Sequence, residues 1–492
     1  MRATYKKTLL GLAIGFALAG GAQAGDNTAI VNQTSASGVD EGNTASVTQT
    51  GILHTTIVNQ SGALNQTTVN QSGVWQEAYA DSTGSNNVID IMQTDDWHVT
   101  DYTVTGNDNQ VSVTQGGFYN QADGDISGDA NSAMVDQQGA TNQSNTFVSG
   151  NSNAADQQQQ GNDNWTEASF AGDGNSLASR QYGDQNQSGL IDVLGNLNSM
   201  DVMQYGFYNV GGVVTVTGDD NRFHIDQDGS FNTFIARTLT GDDNYFNIDQ
   251  SGSDNQFMLE PVSGDDNTVM ASQDGTSNRI EAPYGLTGND NYLNMDQAGN
   301  ANSIAFYLQG DDHNGNITQI GSSNAAELVL LGEDNNATIL SDGNSNYAGI
   351  GFAGVDNKAE IMQSGDNNFA LSDFQGDSND IDIEQDGNDN EAVITGNQAY
   401  GTELTVEQRG DINLVDMLVM GAENLIDVAQ VGNGNLVGGV EGGPFAVTGD
   451  AGIVDIQQTG NDNLVMGSQS GSYNYLQVSQ SGDFNTATVT QN

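Results

Sequence analysis

From Asn109 onward the same trio of amides returns at one fixed interval: Asn109, Gln115 and Asn120, then Asn131, Gln137 and Asn142, then Asn153, Gln159 and Asn164. A fixed period of about 20 to about 50 residues marks a stacked-repeat architecture, because each unit is too small to bury a core alone and must lean on its neighbours. The series continues with slight stretching through Asn175, Asn198, Asn221, Asn244, Asn267 and Asn291. His313 then takes the Asn place, followed by Asn335, Asn357, Asn379, Thr402, Asn424, Gly452 and Asn474. Backwards it reaches Asn87, Asn65 and Asn43, which gives about twenty units over residues 43–492, preceded by a partial unit from Asn27 to Gln33 within residues 25–42. The largest irregularity is the stretch Gly438 to Gly449, which holds one of the three prolines.

Inside a unit the pattern alternates with period two. Asn244, Phe246, Ile248 and Gln250 fall on one face, and Tyr245, Asn247 and Asp249 on the other. Asn267, Val269, Ala271 and Gln273 repeat this, as do Asn474, Leu476, Val478 and Gln480. The second half of the unit follows the same scheme, in Asn413, Val415, Met417 and Val419 and in Asn485, Ala487, Val489 and Gln491. Such alternation reads as a half-buried strand, and the apolar positions at +2 and +4 from the Asn would not share a helix face. Turns fall between the strands. Gln227-Asp228-Gly229 and Gln385-Asp386-Gly387 follow first strands, and Gly218 to Asn221 and Gly241 to Asn244 precede new units. Gly, Asn and Asp supply the positive φ and local hydrogen bonds that tight turns need. The expected fold is all-β, a β-solenoid (β-helix) of strand–turn–strand repeats of 22–23 residues with cross-β, amyloid-like stacking.

The fixed polar places have a physical reason. A buried amide left unpaired costs about 1–3 kcal/mol. An amide stacked on an identical one in the next rung can donate and accept along the axis, as in the Asn/Gln ladders of cross-β packing, and so fixes register. Structural ladders are therefore expected through Asn109, Gln115, Asn120, Asn131, Gln137 and Asn142. They are expected again through Asn221, Gln227, Asn232, Asn244, Gln250, Asn255, Asn267, Gln273 and Asn278, and through Asn474, Gln480, Asn485 and Gln491.

The scheme N-x5-Q-x-G-x2-N, as in Asn221-Arg-Phe-His-Ile-Asp-Gln227-Asp-Gly229-Ser-Phe-Asn232, resembles the curlin repeat of curli fibre subunits. The resemblance covers nearly all of the chain after Ala24. It implies export through the periplasm of a Gram-negative-type envelope, secretion through an outer-membrane pore, a surface nucleator, and growth of a self-assembled amyloid fibre in biofilm matrix, with a part in surface adhesion. Two departures stand out. The familiar subunits have far fewer repeats, and their second strand usually ends in Gln. In this sequence that place reads as Ile126, Val148, Phe170 and Asp192, with Gln at Gln71, Gln469 and Gln491.

Composition narrows the rest. Residues 1–24 read as a secretory signal: Arg2, Lys6 and Lys7, an apolar run from Thr8 to Gly20, and Ala22-Gln23-Ala24 before a cut between Ala24 and Gly25. Nothing later is apolar enough for a membrane-spanning helix. The chain has no Cys, which excludes disulfides and thiolate metal sites. It has 9 basic and 64 acidic residues, and three of the basic ones lie in the leader. Nucleic acid and anionic membrane surfaces are thereby disfavoured as partners. No catalytic constellation, cofactor site or metal site is expected. Of the four histidines, His54, His98 and His313 stand in Asn places and His224 does not. Recurrent Gly-Asp-Asp-Asn turns line up carboxylates that could attract divalent cations weakly, without the ligand pattern of a dedicated calcium loop. Outward tyrosines such as Tyr245 and Tyr292 could stack along a face.

Two functions compete. One is a polymerising structural subunit, favoured by a sequence that stops mid-repeat at Asn485–Asn492 with no capping pattern. The other is a secreted, non-polymerising solenoid that serves as an adhesin or a cation-binding surface. A flat array of outward Thr, as an ice-binding face would want, is not seen.

Overall fold

The computed structural model describes residues 25–35, 42–259 and 261–492. The expected signal segment and its cut after Ala24 therefore lie outside the described residues; Gly25 itself bridges Ile52 in parallel. The fold is a parallel β-solenoid of about 20 turns, with 69% of the chain in strands, and it divides into two compact units, residues 1–221 and 222–492.

In the first unit, strands such as Gln110–Phe118, Ser132–Ala140, Ala154–Asn162 and Ser176–Asp184 form one parallel sheet. Their partners across the core, such as Val99–Asn107, Gln121–Ser127, Gln143–Ser149 and Trp165–Ala171, form the other. Register follows the repeat: Gln115 pairs with Gln137 and Gln137 with Gln159. The alternation decides which side chains go in. Val111, Val113 and Gln115 are buried, and Gln110, Ser112 and Thr114 point outward.

The second unit repeats this plan with a larger apolar core. Arg222–Ser230, Tyr245–Ser253 and Thr268–Thr276 stack in register, so that Gln227, Gln250 and Gln273 stand in one column. Phe223 and Phe246 stack face to face with ring centres 5.0 Å apart. Across the core, Phe234 and Phe257 meet edge-on at 5.5 Å. Each is buried, and fully burying a Phe contributes about 1.5–3 kcal/mol.

The slight stretching of the repeat has a local cause. The strand Gln187–Leu194 carries one extra residue, so that Ala168 pairs with Leu190 but Phe170 pairs with Val193. Asp192 takes φ +51° and faces solvent, and Val193 is buried in its stead. The repeat spacing puts Asp192 inward; the bulge corrects that, and relieves the core of an unpaired carboxylate. The next rung keeps the bulge, with Val193 on Val216.

Prolines explain two interruptions in the second sheet. Gln256–Leu259 and Val262–Ser263 are separated by a segment with Pro261, and Arg279–Ala282 and Leu286–Thr287 by one with Pro283. Proline cannot donate to the ladder and so ends strand pairing. The irregular stretch after Gly438 loops out with a short 3₁₀ turn, Val440–Gly442, and the strand resumes at Phe445–Thr448 with Val447 on Val419. Register thus survives an insertion that lengthens the step from Asn435 to Asn463 to 28 residues.

Candidate assembly surfaces: amide ladders and turn columns

Each unit has a Gln column in its first sheet. In the first unit Gln93 donates to Gln115 at 2.9 Å, Gln115 to Gln137 at 2.8 Å, and Gln137 to Gln159 at 2.8 Å. In the second, Gln227 donates to Gln250 and Gln250 to Gln273, both at 2.7 Å. Each amide also reaches across the core: Gln115 donates to the Val99 carbonyl at 3.1 Å and Gln250 to that of Thr233 at 3.0 Å. One side chain therefore ties its rung to the next and one sheet to the other. The column is interrupted at Ser341, whose hydroxyl still donates to Gln363 at 3.1 Å.

The Asn columns stand at the turns and work differently. The Asn109 side-chain oxygen accepts both the backbone N–H and the side-chain amide of Asn131, each at 3.0 Å. The Asn131 amide also donates to the Gly150 carbonyl at 2.8 Å. Asn142 stands in the same relation to Asn120, Asn267 to Asn244 and Asn255 to Asn232. Asn278 takes the Asn255 oxygen through its backbone N–H, and Asn221 bonds Asn198 with both groups. These residues are all buried, and the ladder supplies their polar groups with partners that water cannot provide.

Toward the C-terminus the columns are less complete. Gln458 donates to Gln480 at 3.0 Å, Asn485 to Asn463 at 2.8 Å, and Gln469 to Gln491 at 3.3 Å. Asn474 stacks above Gly452, which has no side chain, and turns its amide to the Ser470 carbonyl. Gln71, read as a second-strand residue, lies in the first sheet and bonds Gln93 at 2.8 Å. The second sheet has its own short Gln pair at the other end, Gln33 to Gln60 at 2.6 Å.

Three features escaped the repeat pattern. The first is a polar core in the first unit. Thr100 accepts from Gln93 at 3.1 Å and donates to Gln115 at 2.9 Å, and Gln157 accepts from Ser144 and Thr146. Tyr102 lies fully buried over Gly124, with its hydroxyl donating to Thr146 at 3.3 Å, two rungs on. A Cβ on Gly124 would meet the Tyr102 ring at 2.3 Å. The signal was present: polar residues replace apolar ones at inward positions.

The second is the glycine column. At Gly252, φ is +105° and a Cβ would stand 2.0 Å from the Gly275 carbonyl oxygen. The column is needed for rung-on-rung approach as well as for the turn. The third is an aromatic column at a corner of the first unit, where Trp75 and Trp97 lie 4.1 Å apart and Trp97 and Tyr119 5.1 Å apart. Tyr245 and Tyr292, by contrast, are separated by Thr268 in their column and do not stack.

Carboxylates also stack. Asp101 pairs in register with Asp123, and its pKa is raised by partial burial and then by Asp123, Asp81 and Asp125. Asp427 pairs with Asp455; burial raises its pKa first, then Asp455 and Glu407. Neighbouring carboxylates thus push the two pKa values the same way as burial, and less strongly. Among the described residues no group of three or more His, Asp or Glu side chains is placed to hold a metal ion. Among them, too, no helix is long and apolar enough to cross a membrane.

The family model of the curlin associated repeat matches residues 106–143, 195–229 and 354–387. No curated protein matches the chain. The first match contains Asn109, Gln115, Asn120, Asn131, Gln137 and Asn142, the rungs whose ladders are described above. Three stretches of this parallel β-solenoid thus match the curlin associated repeat.

Proposed function

We propose that this protein is a structural, non-catalytic subunit of an extracellular curli-type fibre, and that it polymerises by laying rung on rung as the chain already does within itself. The observation that carries this reading is the translational sameness of the ladders. Gln115, Gln137 and Gln159 each accept from one neighbour and donate to the next, so a rung of a second chain can be received with the bonds already used inside the first. The curlin associated repeats support the same role. In this reading the fibre contributes to biofilm matrix and surface adhesion, after export by way of an outer-membrane pore and with a surface nucleator. Calcium or another divalent cation would act only weakly, by shielding the acidic turns.

The test is to incubate the purified chain lacking residues 1–24 and follow it by sedimentation and negative-stain electron microscopy. Unbranched fibres with loss of soluble protein are expected. A population that stays monodisperse at every concentration and pH tested would instead favour a secreted solenoid that acts as a single-molecule adhesin or cation-binding surface.

A further inference from the structure

Three buried histidines interrupt the Asn columns, His54 and His98 in the first unit and His313 in the second. His98 and His313 are 0% and 1% exposed. Each ring is hydrogen-bonded at both nitrogens, in directions that leave no choice of tautomer. Nε2 lies 2.6 Å from the Thr94 carbonyl in His98 and 3.1 Å from the Gln309 carbonyl in His313, and a carbonyl can only accept. Nδ1 lies 3.2 Å from the backbone N of Asn120 in His98 and 3.3 Å from that of Asn335 in His313, and an N–H can only donate. The neutral ring with its proton on Nε2 therefore copies what an Asn side chain does at that place. Asn differs in one respect: it has no proton to gain near neutral pH.

We propose that His98 and His313 are acid-sensitive rungs, which hold the next turn of the solenoid only while Nδ1 is unprotonated. A second proton on the ring must sit on Nδ1. It would point a donor at the N–H of Asn120 or Asn335 and put a positive charge in a dry corner. The rung must then open at that corner. His54 is a different case, because its Nδ1 has no partner to lose. The carboxylates that act on His98 are Asp95 and Asp96 in its own turn, and those that act on His313 are Asp311 in its own turn and Asp334 in the next. They favour the charged ring, but burial outweighs them, and both imidazoles titrate below their ordinary value.

The sign follows from linkage. A histidine with a depressed folded pKa contributes its full stability above the unfolded value of about 6.5 and loses it as pH falls below that value. The expected reading is hydrogen exchange at single amides between about pH 7.5 and about pH 5. Protection of the Asn120 amide, taken relative to that of Asn142 (which donates to the Asn120 side chain at 3.0 Å), should fall by up to about tenfold per pH unit below about 6.5. Asn335 relative to Asn357 should behave likewise. In His98→Asn the Asn120 ratio should lose its pH dependence, and in His313→Asn the Asn335 ratio should. A ratio that is flat with pH in the unaltered protein overturns the proposal, as does a slope that survives the Asn substitution. If a variant does not fold, imidazole titration of the unaltered protein by NMR decides. Titration below about 6.5 supports the proposal, and titration at or above it overturns it.

Discussion

At the scale of the residue, the fold rests on amides that are fully used. Gln250 accepts from Gln227, donates to Gln273 and donates to the Thr233 carbonyl. Gln250→Leu keeps the volume and removes these bonds together with a longer one, at 3.3 Å, to the Asn255 carbonyl. It leaves one Gln227 donor and one Gln273 acceptor without those partners, at about 1–3 kcal/mol for each buried group. Asp249→Asn, on the outward face next door, should change stability by less than about 0.5 kcal/mol. Chemical denaturation of the two variants side by side checks this, and equal losses would mean that the face assignment carries no energy. Gly252→Ala is expected to cost more than about 1 kcal/mol, since the residue has φ +105° and its Cβ would meet the Gly275 carbonyl. The amide places were legible in the sequence because they recur at one spacing. The crowding at Gly252 was not, since the same glycine would be required by the turn alone.

At the scale of the element, each strand presents one buried face and one outward face, and where outward carboxylates recur they stack. Asp101, which stacks on Asp123, and Asp427, which stacks on Asp455, have their pKa raised from the ordinary value, first by partial burial and then by neighbouring charge. A raised folded pKa means that the folded state binds more protons than the unfolded one in that window. Stability from these columns should therefore rise as pH falls from above the raised values toward about 4, and salt should strengthen the fold at neutral pH. The histidine rungs act in the opposite sense below about 6.5, so the two effects separate by variant. Asp427→Asn should flatten the carboxylate part of the stability–pH curve and leave the Asn335 exchange ratio unchanged. A carboxylate part as steep as in the unaltered protein would remove Asp427 from the account. Strand positions, faces and the stretched spacing could be read from alternation and recurrence. The bulge that produces the stretch could not, because moving Asp192 outward and Val193 inward leaves the same residues in the same order.

At the scale of the whole molecule, the sequence carries the period, and the period carries most of the fold. The ladders at Asn109, Gln115 and Asn120 need nothing more than repetition to be foreseen. The polar core around Thr100, Tyr102 and Gln157, and the stacked Trp75, Trp97 and Tyr119, depend on which residues two sheets bring opposite or above one another, and that is set by folding. The central claim is that assembly extends the same parallel stack between chains. X-ray fibre diffraction from aligned assemblies of the purified protein tests it most directly. Rung-on-rung stacking predicts a sharp meridional reflection at about 4.7–4.8 Å from the rung spacing and an equatorial one near about 10 Å from the packed sheets. Assemblies without the meridional reflection would contradict rung-on-rung polymerisation.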